Sequence, residues 1–154
     1  MQKISKKKAA AAARRVRKYY KICDALPFAF TDIEMVFNEE KKAVDWIFRY
    51  GNEALAALEK QPLDKMIGSS FSSLFSNMDA KWLHVYERAT LYGETLEIMD
   101  YSPEIDTNLK IICFPTFPGH CGCILFNADQ MKSISEKNHL VRLVEVSMKS
   151  NSSK

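Results

Sequence analysis

No stretch of these 154 residues stays apolar for the roughly 18 to 20 positions that a membrane-spanning helix needs, and no membrane span is expected. No secretory signal is visible either, and none is expected. The start is basic, but the alanine run at 9–13 is short and leads into Arg14-Arg15, not into a cleavage site. The four cysteines, Cys23, Cys113, Cys121 and Cys123, do not form the framework of a secreted disulfide-bonded domain. Cys121 and Cys123 fall two apart in a strand pattern, on one face, and are poorly placed to bridge each other. Reduced thiols in a cytoplasm are the simpler expectation.

Signatures of catalysis and of metal binding are equally scarce. None of the three histidines, His84, His120 and His139, is spaced with a second histidine or a cysteine pair for zinc. Cys121-Gly122-Cys123 is not the Cys-x-x-Cys of a thioredoxin-like site. Cys121 beside His120 would make a reactive pair only if both faced one way, and neighbours along a strand face opposite ways. The acids are scattered over strand faces and turns expected to be exposed, with no paired carboxylates and no Ser/His/Asp order. No Gly-rich phosphate loop suggests a nucleotide fold. The expectation is a domain with no catalytic residue and no metal site, hence not an enzyme.

What is there is an ordinary globular composition, 47% hydrophobic and 27% charged, long enough for one domain with a real core. The charge is uneven. Residues 1–22 hold nine bases and no acid, which leaves thirteen bases against nineteen acids in the remainder. Such a basic arm suits nucleic acid or anionic lipid. It has no partner motif and no interleaved stacking aromatics, so a solvated helix face or linker is expected instead.

The clearest pattern is a helix at 80–93. Trp82, Tyr86, Ala89 and Thr90 share a face at three- and four-residue spacing, widened by Leu83, Val85 and Leu91. Asp79 offers an N-cap oxygen, and Gly93 a left-handed stop. Strand patterns lie before and after it, so this helix is expected to cover a concave sheet, with any ligand between the two. Upstream, residues 9 to about 26 read as a helix ended by Pro27, preceded by a frayed start. Residues 28–38 alternate, with Ile33, Met35 and Phe37 on one face and Asp32 and Glu34 on the other. After a polar turn, residues 43–50 place Val44, Trp46, Phe48 and Tyr50 on one face, completing a hairpin. Asn52 caps a helix at 53–60, and short helical turns follow at 63–67 and 69–75. Three more strands are expected at 94–101, 109–116 and 120–126, with Gly122 marking a bulge or a close approach. Antiparallel strand groups with helices between them argue an α+β fold.

In that order the chain carries Ala25-Leu26-Pro27-Phe28-Ala29-Phe30, Gly51-Asn52-Glu53-Ala54, Leu63-Asp64-Lys65-Met66-Ile67-Gly68, Phe71-Ser72-Ser73-Leu74-Phe75, Gly93-Glu94-Thr95 and Tyr101-Ser102-Pro103. Together these resemble a PAS domain, of the bacterial sensor kind that often precedes a diguanylate cyclase or histidine kinase. The resemblance spans about residues 25–128. It implies a five-stranded antiparallel sheet with helices across one face, between a basic N-terminal helix or linker (1–24) and a C-terminal signalling helix with a polar tail (129–154). It also implies a sensory module that binds a small ligand or dimerises, and passes a conformational change through its flanking helices to an effector domain in cis or in trans. No output domain is visible, so the chain is expected to be a piece of a longer protein. One departure stands out. Many PAS domains end the last strand with Asp, an aliphatic residue and Thr or Ser, and here the run is Asn127-Ala128-Asp129.

Ile134, Val141 and Met148 fall seven apart with Val144 at the complementary position, a short coiled-coil seam interrupted by Lys137. A homodimer through the flanking helices is the expectation. The inward-facing candidates for a ligand pocket are Met35, Phe37, Trp46, Phe48, Trp82, Tyr86, Ile111, Cys113, Cys121 and Cys123. They suit an apolar ligand held by one or two hydrogen bonds, or they fill their own core, which would leave a ligand-free interaction domain. Haem-binding PAS sensors place an axial histidine on the long helix, where His84 sits here. His84 lies well around from Trp82 and Tyr86, so a solvent-facing or edge position is expected. No cysteine lies between Cys23 and Cys113, which excludes flavin-adduct photochemistry of the PAS type.

Overall fold

The computed structural model describes residues 6–77 and 79–130. The seam residues Ile134, Val141, Val144 and Met148, the polar tail and the start of the basic arm lie outside the described residues.

The chain opens with helix α1 (Lys6–Tyr19), followed by a 3-10 turn (Lys21–Ala25) and strands β1 (Ala29–Phe37) and β2 (Ala43–Gly51). Asn38 makes the hairpin turn between them, its Oδ1 accepting from the Glu40 and Lys42 amides. Helices α2 (Glu53–Glu59), α3 (Leu63–Met66), α4 (Phe71–Leu74) and α5 (Ala80–Tyr92) come next. Strands β3 (Leu96–Ser102), β4 (Thr107–Pro115) and β5 (His120–Asn127) complete one antiparallel sheet in the order β2-β1-β5-β4-β3. This is the α+β, PAS-like architecture that the resemblance implies. The first and last strands lie side by side at its centre, with Thr31 opposite Cys123 and Glu34 opposite His120.

Helix α5 crosses the concave face. Asp79 caps it by accepting from the Lys81 amide at 3.0 Å, and Gly93 ends it at φ 66°. It buries Trp82, Tyr86 and Ala89, one residue per turn of the inward face. Trp46 of β2 meets Tyr86 edge-on at 5.1 Å and lies 4.2 Å from the Phe71 ring. Full burial of side chains this size supplies on the order of 1.5–3 kcal/mol each.

Two sequence expectations fail here. The helix foreseen to residue 26 stops at Tyr19, because Tyr20 leaves the helical region (φ −93°, ψ 9°). Its ring is drawn onto the outer face of the sheet, where it is buried against Phe30 and Tyr50. That packing outweighs local helix propensity. The stripe Val44, Trp46, Phe48 and Tyr50 is also broken. The β1–β2 register shifts between Asp32 and Ile33 and between Val36 and Phe37. An extra residue on one strand reverses the faces beyond it. Trp46 and Phe48 therefore enter the concave core, Tyr50 turns to the outer face, and Val44 is exposed.

At the other end, Asn127 Oδ1 accepts from the amides of Asp129 (3.0 Å) and Gln130 (3.2 Å). Residues 128–130 are helical. The unusual Asn127-Ala128-Asp129 run thus works as an N-cap that starts a helix directly from β5.

Candidate functional site

All ten residues expected to line a pocket fall in one place. Met35, Trp46, Phe48, Trp82, Tyr86, Ile111, Cys113, Cys121 and Cys123 are buried members of the concave-face core, and Phe37 packs on it half-buried. Cys113 lies opposite Cys123 across β4 and β5. Burial pushes the Cys113 thiol up to about 12, and raises Cys123 as well, with neighbouring thiols adding to each. A thiol raised in this way carries little of the nucleophilic thiolate form. His84 is exposed on α5. This is the solvent-facing position expected for it, because helical geometry turns His84 away from the face that buries Trp82 and Tyr86.

The most organised polar site lies on the opposite face of the sheet, where no functional residue is foreseen from sequence. Asp32, expected on an exposed strand face, is 0% exposed. Its Oδ2 accepts from the Tyr20 hydroxyl at 2.6 Å and from Thr116 Oγ1 at 2.7 Å, and its Oδ1 pairs with His120 Nδ1 at 2.6 Å. Two hydroxyls and one imidazole nitrogen thus converge on the Asp32 carboxyl group, and a carboxylate there assigns the His120 proton to Nδ1. Charge-assisted bonds of this length are the strong kind. Burial, followed by the bond to Asp32, raises the Tyr20 hydroxyl far above its ordinary value, so it remains a donor.

The four partners come from four parts of the chain: the end of α1, β1, the β4–β5 loop and the start of β5. Further bonds fasten the same junction. Tyr50, turned outward by the bulge, donates to Asp24 Oδ1 at 2.7 Å. Asn52 Nδ2 donates to the carbonyls of Cys23 (3.2 Å) and Phe28 (2.9 Å), while its Oδ1 accepts from the Leu55 and Phe30 amides. One side chain therefore caps α2 and holds the 3-10 turn. Around the network, Tyr20 packs against Phe30, Tyr50 and Phe117 with ring centroids 5.0 to 6.1 Å apart. The outer face also carries a groove of about 830 Å³, lined by α1 residues Arg15, Lys18 and Tyr19 and by Glu34, Arg49 and His120 of the sheet. Glu34 and Arg49 pair across the hairpin at 2.6 Å.

No family model matches the chain, and no curated protein matches it. Among solved structures it is similar to the PAS domain of BvgS from Bordetella pertussis, at 9% identity and a TM-score of 0.45, over 88% of this chain and 98% of that one. The architecture given above rests on the strand order and pairing, not on this likeness.

Chemically, the network can hold an imidazole in one tautomer and fix a helix to a sheet. It does not assemble a nucleophile. Cys121, next to His120 in sequence, lies in the concave core on the other side of the sheet, as strand geometry requires. Among the described residues no cluster of three His, Cys, Asp or Glu is placed to hold a metal ion, and no helix is long and apolar enough to cross a membrane.

Proposed function

We propose that this chain is a non-catalytic sensory and relay module, in which the state of the sheet is passed to the N-terminal helix. The observation that carries the reading is the buried Asp32 carboxylate, which ties the end of α1 to β1, β5 and the β4–β5 loop. A shift of β5 against β1 moves His120 and Thr116 relative to Tyr20, so it changes how firmly the helix is held. This is a two-state element biased by its contacts. The receiving effector domain lies in cis or in trans. The input is a small ligand at the ten-residue concave core or a partner protein. The direct packing of that core favours the partner, and with it the ligand-free interaction domain as second reading. Dimerisation through the N-terminal flank is supported by Tyr19 and Ile22, which are 69% and 85% exposed despite their apolar surface.

The test perturbs the sheet and reads the helix. Thr116→Val keeps the side-chain shape and removes one bond to Asp32. Amide hydrogen exchange of residues 20–26 is expected to speed up about fivefold to tenfold, although Thr116 lies about ninety positions away in sequence. Faster exchange confined to the β4–β5 loop would refute the relay.

A further inference from the structure

A second cavity, of about 430 Å³, opens on the concave side where the end of α2, the segment after α4 and the β3–β4 loop meet. Its size is within the range of small-molecule sites. Leu74, Phe75 and Ile105 give it apolar walls, and Glu59, Glu104 and Asp106 give it three carboxyl groups. Two of the three acids are already engaged. Glu104 accepts from the Asp79 amide at 2.8 Å and from Ser102 Oγ at 2.6 Å, and Asp106 accepts from the Tyr101 hydroxyl at 2.5 Å. Lys60, the base on the rim, gives its ammonium to the Ile105 carbonyl at 3.3 Å.

Glu59 differs. It is 7% exposed, lines this cavity, and receives no hydrogen bond or ion pair from any of the described residues. Burying a carboxylate is costly unless a donor or a cation meets it. Burial, with the Glu104 carboxylate as a further cause, pushes it up to about 7. The hydrogen-bonded Glu104 is fixed in place beside it, in a cleft that stays open to solvent and has Leu74, Phe75 and Ile105 as its apolar part.

We propose that this cavity binds a small organic cation, a primary ammonium on a short apolar body, with Glu59 as its charge partner. An ammonium brings three donors and a positive charge to a carboxyl group that receives neither from any of the described residues. The apolar body meets Leu74, Phe75 and Ile105. A divalent metal fits less well, because no three metal-ligating side chains converge among the described residues. The site is separate from the Asp32 network, so its failure leaves the relay reading untouched.

The experiment titrates phenethylammonium into the intact chain at pH 8, followed by amide chemical shifts. Saturable shifts at residues lining the cavity are expected, with a dissociation constant in the millimolar range or tighter. The neutral isostere 2-phenylethanol is expected to bind about tenfold more weakly, a comparison that needs no variant. Glu59→Gln is expected to weaken phenethylammonium by about tenfold while unfolding at a midpoint no lower than the parent. Asp106→Asn, at the rim, is expected to weaken it about twofold to threefold. Absence of saturation, equal binding of the alcohol, unchanged affinity in Glu59→Gln, or displacement of the amine by calcium would each overturn the proposal.

Discussion

Tyr20→Phe isolates the clamp between α1 and the sheet. The substitution removes a single oxygen, whose proton lies in a buried 2.6 Å bond to Asp32. The ring itself keeps its places against Phe30, Tyr50 and Phe117, so the hydrophobic contribution is retained. A hydrogen bond to a charged group is worth about 1.5–3 kcal/mol. Thr116 and His120 still donate to Asp32 in the variant, so the carboxylate is not stranded. The lower part of the range applies, about 1.5–2 kcal/mol. For a chain of this size each kcal/mol moves the melting temperature by about 2–4 °C, giving a fall of roughly 3–8 °C. Urea unfolding should show the same loss with an unchanged slope. The pH dependence has a definite sign. The Tyr20 hydroxyl titrates higher in the folded state than its ordinary 10.0, because of burial first and Asp32 second. Its contribution is therefore complete below about pH 10 and declines above it. In a double-mutant cycle with Thr116→Val, the two losses should interact by at least about 0.5 kcal/mol, since both bonds end on one oxygen. A loss under about 0.5 kcal/mol for Tyr20→Phe, or strict additivity in the cycle, would refute the clamp.

Three further outcomes follow from the same geometry. Glu59 is held at about 7 against its ordinary 4.5, so the folded chain keeps a proton that the unfolded chain has lost, and stability falls as pH rises from about 4.5 to 7. At 1.36 kcal/mol per pH unit the fall is on the order of 3 kcal/mol; Glu59→Gln should be the more stable protein at pH 8 by urea unfolding, with the gap closing in acid. Gly122→Ala would place a methyl 2.8 Å from two ring carbons of Phe114 and 3.0 Å from Thr116, and should cost about 1–3 kcal/mol in thermal unfolding while shifting the Thr116 resonances. Asn52→Ala removes the α2 cap along with the bonds to Phe30, Phe28 and Cys23, and should cost about 2–4 kcal/mol, with faster amide exchange at both α2 and the 3-10 turn.

Much of the fold was legible along the chain. The α5 helix, its Asp79 cap and its Gly93 stop follow from local rules, and so do the Asn52 cap and the hairpin turn at Asn38. The alternation in β1 correctly sent Ile33 and Met35 to the core. The close approach at Gly122 was legible too, because a glycine inside a strand pattern usually has such a cause. The candidate site was much less so. Asp32 and His120 are 88 positions apart, and only the pairing of β1 with β5 brings them together. The one local hint was an acid set in the middle of a run of strand formers. Tyr50 lies on the face opposite to the one its alternation implies, because a bulge leaves no mark in a hydrophobic alternation.

By itself, then, the sequence determined where most of the helices and strands lie and sent ten side chains to the concave core, because capping, turn chemistry and periodicity act over a few neighbouring positions. The tertiary structure alone decided that a second, outer-face core exists, that Tyr20 leaves its helix to join it, and that Asp32 is buried there. Those outcomes depend on strand order and register, and the free energy that sets them comes from groups that meet only after the chain has closed on itself.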